Sequence, residues 1–416
     1  MGTKSRGDDI LSVGYVLLDG AADRPNPRLN FTTPLEAAYT PNLDSIARSS
    51  RIGRVVTVRR GVAPESDIAV FSMLGYSFAE GYPGRGVVEA VGADMGFRDG
   101  DVAFRANLAS VDGRKILDRR AGRNLKQEEA KRIEKELEGL SLDDAEAEFR
   151  ATISYRGVLV LRSTKALSAD VTNTDPAYRR VGGFGAARER GSSERVEVCR
   201  PETGDEDARR TARLVNEFTR LAAKILQKSE VNRERRREGK LPANAILLRD
   251  AGDHLPIVQK FEEKYGMMGV ALVEMPAEVG IAKLLEMKMI RLGDRNDLEE
   301  KASLFSRELR DGAVVYAHIK GPDEFGHDGD AVGKKQNIER LDREFFSSVA
   351  EKIKDARIAV SCDHATPCVL MRHSSDPVPL SISGRREGSR FTERASREGR
   401  LGTLHGPEVL REVLRP

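Results

Sequence analysis

Short unbroken apolar runs alternate with helical periodicities along most of the chain. Residues 10–18, ILSVGYVLL, give way at once to DGAADRP. That is the pattern of a parallel strand buried on both faces, delivering an acid, Asp19, at its carboxyl end. TPNLDSIARSS (40–50) predicts a helix with Thr40 at the N-cap and Pro41 in the first turn. A second strand, RIGRVVTV, leads towards a helix beginning at Ser66, with Ile68, Val70, Phe71 and Leu74 as its apolar positions. The last third returns to the character of the first. GAVVYAHIK and ARIAVSCDHA predict strands that end in polar clusters, with the helical IERLDREFFSSVAEKIKD between them. His405, in TLHGPEVL, precedes a terminal helix.

The middle of the chain has another character. Residues 124–150 are highly charged with apolar residues at helical spacing, which predicts an amphipathic surface helix. YRGVLVLRS (155–163) predicts a strand, the Gly- and charge-rich stretch 181–210 a long loop, and 211–228 a helix. Further strands are expected at 244–252 and 269–275, separated by a helix carrying VQKFEEKYG. The simplest architecture is α/β: a doubly wound sheet domain made of residues 1–115 and 300–416, interrupted by a second α/β or α+β domain at 116–299.

Composition narrows the function classes. A chain of 416 residues can bury a substantial core. Net charge is +3 with 32% charged residues, so acids and bases nearly cancel. With no tryptophan as well, the chain lacks the footprint of a nucleic-acid or membrane-surface binder. The N-terminal apolar run is broken by Gly14 and ends in Asp19, unlike a signal peptide, and Arg6 stands where myristoylation needs Ser or Thr. No apolar segment reaches the length of a membrane span. Three cysteines with no CxxC argue against a disulfide framework or a zinc knot and point to a reducing, cytoplasmic compartment.

Candidate chemistry concentrates in the histidines. Asp323 and His327 share GPDEFGHDGD, Asp363 and His364 are adjacent in SCDHATP, and His373 follows in MRHSSDPVP. Carboxylate with imidazole is ligand chemistry for manganese or zinc, whereas magnesium prefers oxygen. Taken singly, each group has an ordinary explanation: a solvated acidic turn, a turn-initiating pair, a surface histidine. Together they follow predicted strands, where α/β sites assemble. His254 and His318 lie outside such clusters and read as structural. Ser66 reads either as a plain N-cap or as a hydroxyl where free backbone N–H groups suit a phosphate. Beside a metal, such a hydroxyl becomes a nucleophile.

The segments DGAADRP, APESDIAVFSMLGY, GRGVVEAVGADM, GDVAFRANLASVDGRKILDRRAGR, IKGPDEFGHDGD, CDHATPC and RHSSDPVP occur in one order. In that order they resemble the archaeal-type cofactor-independent phosphoglycerate mutases of the alkaline phosphatase superfamily, over nearly the whole chain. The resemblance implies an alkaline-phosphatase-like sheet domain with an inserted domain. It implies interconversion of 3-phosphoglycerate and 2-phosphoglycerate, in glycolysis and gluconeogenesis. Two divalent cations (manganese, cobalt, magnesium or zinc) would be needed, and no 2,3-bisphosphoglycerate. By the same resemblance one cation is held by Asp19, Ser66, Asp363 and His364, and the other by Asp323, His327 and His373. Ser66 takes the phosphoryl group. Glycerate must then stay bound and turn round while water is excluded, which gives the inserted domain a purpose as a lid.

Arginines are natural clamps for carboxylate and phosphate. DRRAGR offers Arg119, Arg120 and Arg123, and NAILLRDAG offers Arg249. Asp118, Arg120 and Arg249 are taken as substrate contacts because they lie in family-like segments, whereas NRERRREG reads as a solvated face. The expected partner is a small-molecule phosphoglycerate, and a homo-oligomer is left open. Three departures bear on substrate contacts: Ala177 after NTDP where histidine is common, TLHGPE near the C-terminus, and Glu65 before Ser66 where glycine is usual. A metal-dependent phosphatase or other phosphoryl- or phosphonate-handling enzyme is the alternative within the superfamily. A catalytically inactive scaffold is the alternative outside it.

Overall fold

The computed structural model describes residues 12–78, 82–181, 184–187, 194–292, 297–385 and 389–415. They divide into two units, the first made of Met1–Ser77, Val258–Glu274 and Leu284–Pro416. Its strands are β1 (Val13–Leu18), β2 (Ser50–Val56), β3 (Met268–Val273), β4 (Lys288–Arg291), β5 (Ala313–Ile319), β6 (Arg357–Cys362), β7 (Val378–Ser383) and β8 (Gly402–His405). They form one sheet in the order β4-β3-β5-β1-β6-β7-β2-β8. Neighbours are parallel throughout, except that β7 runs antiparallel to β6 and β2. Every residue of β1 and β5 is buried, as their continuous apolar sequence requires.

Register decides where the chemistry collects. Leu18 lies opposite Ile319 on one side and Cys362 on the other. The next residues of three distant segments, Asp19, Lys320 and Asp363, therefore leave the sheet together at its carboxyl edge. Three helices matter to this edge: α1 (Ser66–Met73), α2 (Pro322–Asp328) and α3 (Ala331–Leu341). Gly20 shows how closely the loops pack. Its φ is +57°, and a Cβ there would meet Asp323 Oδ1 and Thr366 Oγ1 at 2.6 Å, so only glycine fits.

The second unit comprises Phe78–Ile257 and Met275–Lys283. Its long central strand Val102–Asp112 pairs antiparallel with Arg156–Arg162 and with Ala245–Gly252. Glu146–Ala151 extends the sheet beyond Arg156–Arg162, and Lys115–Asp118 returns on the end of the central strand. One face carries Phe104, Leu108, Phe149 and Leu159 into a core completed by Phe218 and Leu226 of the helix Glu206–Lys228. Each such side chain, fully buried, contributes about 1.5–3 kcal/mol. The other face carries Ala103, Val158 and Val160 against Val87 and Ala90 of the helix Arg85–Gly92.

Several expectations change. The division falls at other residues than 1–115/116–299/300–416: Val102–Asp112 pairs within the second unit, whereas β3 and β4 extend the first unit's sheet. Residues 124–150 are not one helix. Gln127–Glu136 is helical, but EAEFRA (146–151) alternates buried side chains with exposed or half-buried ones, as an edge strand does. The expected loop at 181–210 includes the strand Phe184–Ala187, paired with Tyr178–Val181, and ends in the helix from Glu206. Its residues 182–183 and 188–193, like residues 10–11 of the first predicted strand, lie outside the described residues. Thr40 occupies the N-cap of Pro41–Arg48 but makes no side-chain cap bond; its carbonyl takes the Asp44 N–H at 2.9 Å. His405 precedes the last helix, Gly406–Leu414, as expected. Among the described residues no helix is long and apolar enough to cross a membrane.

Candidate active site

Ser66 is the first residue of α1, and Glu65, not Ser66, is the N-cap. The serine hydroxyl is thereby released from capping, and its Oγ lies 3.1 Å from His364 Nε2. His364 follows β6, with Asp363 before it. Asp363 Oδ1 accepts the backbone N–H groups of Gly20 (3.0 Å) and His364 (2.9 Å). That fixes the carboxylate so that Oδ2 lies 3.2 Å from His364 Nε2. Asp19 Oδ1 lies 3.4 Å from the same nitrogen. Both inward oxygens are buried and accept no hydrogen bond among the described residues. One donor atom from each of Asp19, Asp363 and His364 falls within 4.8 Å of the others.

A second group adjoins the first. α2 places Asp323 and His327 on one face, four residues apart. Asp323 lies 3.5 Å from the Nε2 atoms of both His327 and His373, and those two nitrogens face each other at 3.2 Å. Asp323, His364 and His373 form a second set whose donor atoms lie within 4.8 Å. His364 thus belongs to both sets, stacked on His373 with ring centroids 3.9 Å apart.

The hydrogen bonds outside the site fix the tautomers. Thr366 Oγ1 donates its only proton to Asp323 Oδ1 (2.6 Å), so it accepts from His364 Nδ1 (3.1 Å). His373 Nδ1 donates to the Pro64 carbonyl (2.8 Å), and His327 Nδ1 to the Met371 carbonyl (3.3 Å). All three imidazoles therefore turn Nε2 inward with Nδ1 anchored, the arrangement of metal-ligating histidines.

Electrostatics follow this crowding. Burial pushes Asp19 up, but Lys320, His364 and His318 outweigh it and hold the carboxyl well below the usual range. Burial and the Asp19 charge push Asp323 up, while His373 and His327 outweigh them and bring it down. Burial alone would lower His373, yet Asp323, Glu65 and the Pro64 carbonyl raise it to about 10. His327 is lowered, chiefly by burial.

Sequence reasoning missed three contributors. His318, set aside as structural, has Nε2 3.2 Å from Asp363 Oδ2 and 3.9 Å from Asp19 Oδ1. Lys320 Nζ donates to His318 Nδ1 at 3.0 Å and lies 3.2 Å from Asp19 Oδ2. Their i, i+2 spacing at the end of a strand puts both on one face, and that signal was available. Thr366, inside CDHATPC, had no signal of its own.

The comparisons with known proteins agree in their direction. A family model described as 2,3-bisphosphoglycerate-independent phosphoglycerate mutase matches residues 47–232. A protein of that name from Aeropyrum pernix is 43% identical, covering 95% of this chain and 97% of its own length. One from Methanopyrus kandleri is 40% identical over 95% and 94%. The chain belongs to the 2,3-bisphosphoglycerate-independent phosphoglycerate mutases. Among solved structures, a cofactor-independent phosphoglycerate mutase from Thermoplasma acidophilum matches with a TM-score of 0.58 at 30% identity, over 97% of this chain and 99% of that one. A Pyrococcus horikoshii protein matches with 0.73 at 27% identity, over 97% and 96%.

The donors present at this mutase-family site fit divalent cations. Buried carboxylate oxygens that accept no hydrogen bond among the described residues stand beside imidazole Nε2 atoms, the mixed oxygen and nitrogen donor set that a divalent cation takes. The remaining candidates lie in the second unit. Arg249, on Ala245–Gly252, is buried with its guanidinium 3.5 Å from the Tyr178 ring centroid, and Arg119 stands 5.1 Å from that ring. Arg119 is also paired with the buried Asp175. Asp118 Oδ1 accepts the Arg120 backbone N–H at 2.6 Å, so this acid holds a turn. Ala177 donates its N–H to Asp175 Oδ1 at 3.2 Å.

Proposed function

We propose that this chain interconverts 3-phosphoglycerate and 2-phosphoglycerate through a phosphoryl group carried by Ser66. Two divalent cations would be held by Asp19, Ser66, Asp363 and His364 and by Asp323, His327 and His373, with His364 adjoining both. The observation that carries this reading is the serine hydroxyl against His364 Nε2, inside a ring of carboxylates and inward-turned imidazoles. The mixed oxygen and nitrogen donors favour manganese, cobalt or zinc over magnesium. When bound, such cations ease deprotonation of a hydroxyl and offset charge on the transferring oxygens.

The chain's own groups account for the rest. Ser66 Oγ attacks phosphorus as the bond to the C3 oxygen of glycerate breaks, and that oxygen takes up a proton. The phosphoryl oxygens then lie at the amino end of α1, where the helix dipole favours negative charge. Glycerate turns, its C2 hydroxyl attacks the phosphoserine, and Ser66 is regenerated with its proton. The phosphoryl group stays on the protein between transfers, so no bisphosphoglycerate primer is needed. Arg120 and Arg249 remain our candidates for clamping the substrate's carboxylate or phosphate by planar bidentate bonding, and Asp118 remains a candidate substrate contact.

An enolase-coupled assay with 3-phosphoglycerate, with and without added manganese, tests the reading. Wild type should turn over and lose activity to EDTA, and Ser66→Ala should be inactive under both conditions. Mutase activity persisting in Ser66→Ala would sink the phosphoserine route. Release of free phosphate without 2-phosphoglycerate would make the chain a hydrolase.

A further inference from the structure

Lys334 of α3 is a fully buried ammonium. Its Nζ donates to Asp23 Oδ2 (2.8 Å), the Thr366 carbonyl (2.9 Å) and the Ala22 carbonyl (3.4 Å), which uses all three of its protons. Asp23, its ion partner, accepts the N–H groups of Arg24 (2.8 Å) and Cys368 (3.1 Å). Its own N–H goes to Glu393 Oε1 at 2.9 Å. Thr366 N–H in turn donates to the Ala22 carbonyl at 3.1 Å.

These bonds join three segments that are far apart in sequence. The 19–23 loop carries Asp19. The 363–368 loop carries Asp363, His364 and Thr366, the last tied to both His364 and Asp323. α3 follows directly on α2, which carries Asp323 and His327, and Asp330 at the junction caps α3 by accepting the Gly333 N–H at 2.9 Å. A buried ion pair is a poor source of net stability, since desolvation offsets the attraction. An apolar side chain could fill this space, but it could not grip two backbone carbonyls and a carboxylate at once.

We infer that Lys334, with Asp23, is a positioning residue that sets the spacing of both cation sites together. It touches no proposed ligand atom. It acts through the loops that carry Asp19, Asp363, His364 and Thr366 and through the helix pair that carries Asp323 and His327. The inference rests on the two-cation reading of the site. It predicts that losing the ammonium weakens both cations by a similar factor rather than stripping one.

The test is calorimetric titration of the full-length, EDTA-stripped chain with manganese ion alone, beside thermal unfolding of the same samples. Lys334→Met leaves Asp23 buried and unpaired, so it loses stability for reasons unrelated to positioning. Lys334→Met/Asp23→Asn removes the unpaired charge, and its unfolding temperature should return most of the way to wild type. Manganese affinity should nevertheless stay low, by roughly 10- to 100-fold at both sites, the usual loss when a group supporting metal ligands is removed. Wild-type affinity in the double variant would overturn the inference, because the lysine would then serve only to neutralise Asp23. A loss confined to one site would overturn it too, as would a double variant that fails to fold by circular dichroism, which would assign the pair to the core alone. If wild type itself binds no manganese, the two-cation reading fails first, and the positioning inference falls with it.

Discussion

Two buried clusters of charge show what separates a structural network from a site. In the second unit, Arg235 is fully buried, and every guanidinium N–H has an acceptor: Nε on the Leu241 carbonyl, Nη1 on Glu129, Nη2 on the Ala121 carbonyl and Asn124. Nothing is left over. In the first unit, Asp19 Oδ1 and Asp363 Oδ2 are also buried yet accept no hydrogen bond among the described residues. Around them three imidazoles hold Nδ1 in place and turn Nε2 inward. A saturated network holds a fold; a buried cluster with donors and acceptors mismatched awaits a ligand.

That contrast can be broken by removing one member of each cluster. Arg235→Met leaves Glu129 and two carbonyls without their donor, so stability should fall by roughly 3–5 kcal/mol while the surviving folded fraction keeps wild-type kcat. Denaturant unfolding and an activity assay on the same sample check it. Asp363→Asn should do the reverse. Activity should drop by roughly 10²- to 10³-fold, the scale of losing one preorganised electrostatic group, and kcat measured at saturating manganese reads it. The metal-free Asp363→Asn chain should melt no lower than wild type, because it relieves repulsion between buried carboxylates.

Glu393 sharpens the comparison within one unit. Its carboxyl accepts from Thr33 Oγ1 at 2.6 Å and from the Asp23 N–H, yet burial outweighs these bonds and raises it to about 7 from the ordinary 4.5. The folded chain therefore holds this proton where the unfolded chain has lost it. The stabilisation is complete below about pH 4.5 and disappears as pH rises through 7, a change of ~3 kcal/mol. Unfolding free energies of wild type and Glu393→Gln, measured from pH 4.5 to 8, should diverge by that amount. A parallel pair of curves would remove the proton from Glu393. The smallest effect is expected from Thr366→Val, which deletes the bridge between His364 and Asp323 without removing a proposed ligand. Manganese affinity should weaken by about 10-fold, as loss of one supporting hydrogen bond does.

Legibility in the sequence followed the physics of each region. β1, β5 and β6 were readable because strands buried along their length must be apolar throughout, and their polar ends marked the carboxyl edge. Asp19, Asp323, Asp363 and His364 could be named for that reason, and Ser66 for its place at a predicted helix start together with the family resemblance. Their contacts could not, since the register that brings Leu18 beside Ile319 and Cys362 spans more than half the chain. The charged middle was harder. In EAEFRA the period of two is hidden within a stretch whose composition favours helix. NRERRREG reads as solvated, and Arg233, Arg236 and Arg237 are exposed, but Arg235 faces the other way and is buried. Its acceptors come from residues 121–129 and 241, which no local pattern joins.

Whether Ser66 carries the phosphoryl group is the question on which the rest depends. Wild-type chain turning over 3-phosphoglycerate with manganese, quenched in acid and digested, should yield the peptide containing Ser66 with one added phosphate by mass spectrometry. The label should be absent without substrate and absent in Ser66→Ala. A chain that interconverts the two phosphoglycerates while Ser66 stays unmodified, or that carries the phosphate on another residue, would contradict the account.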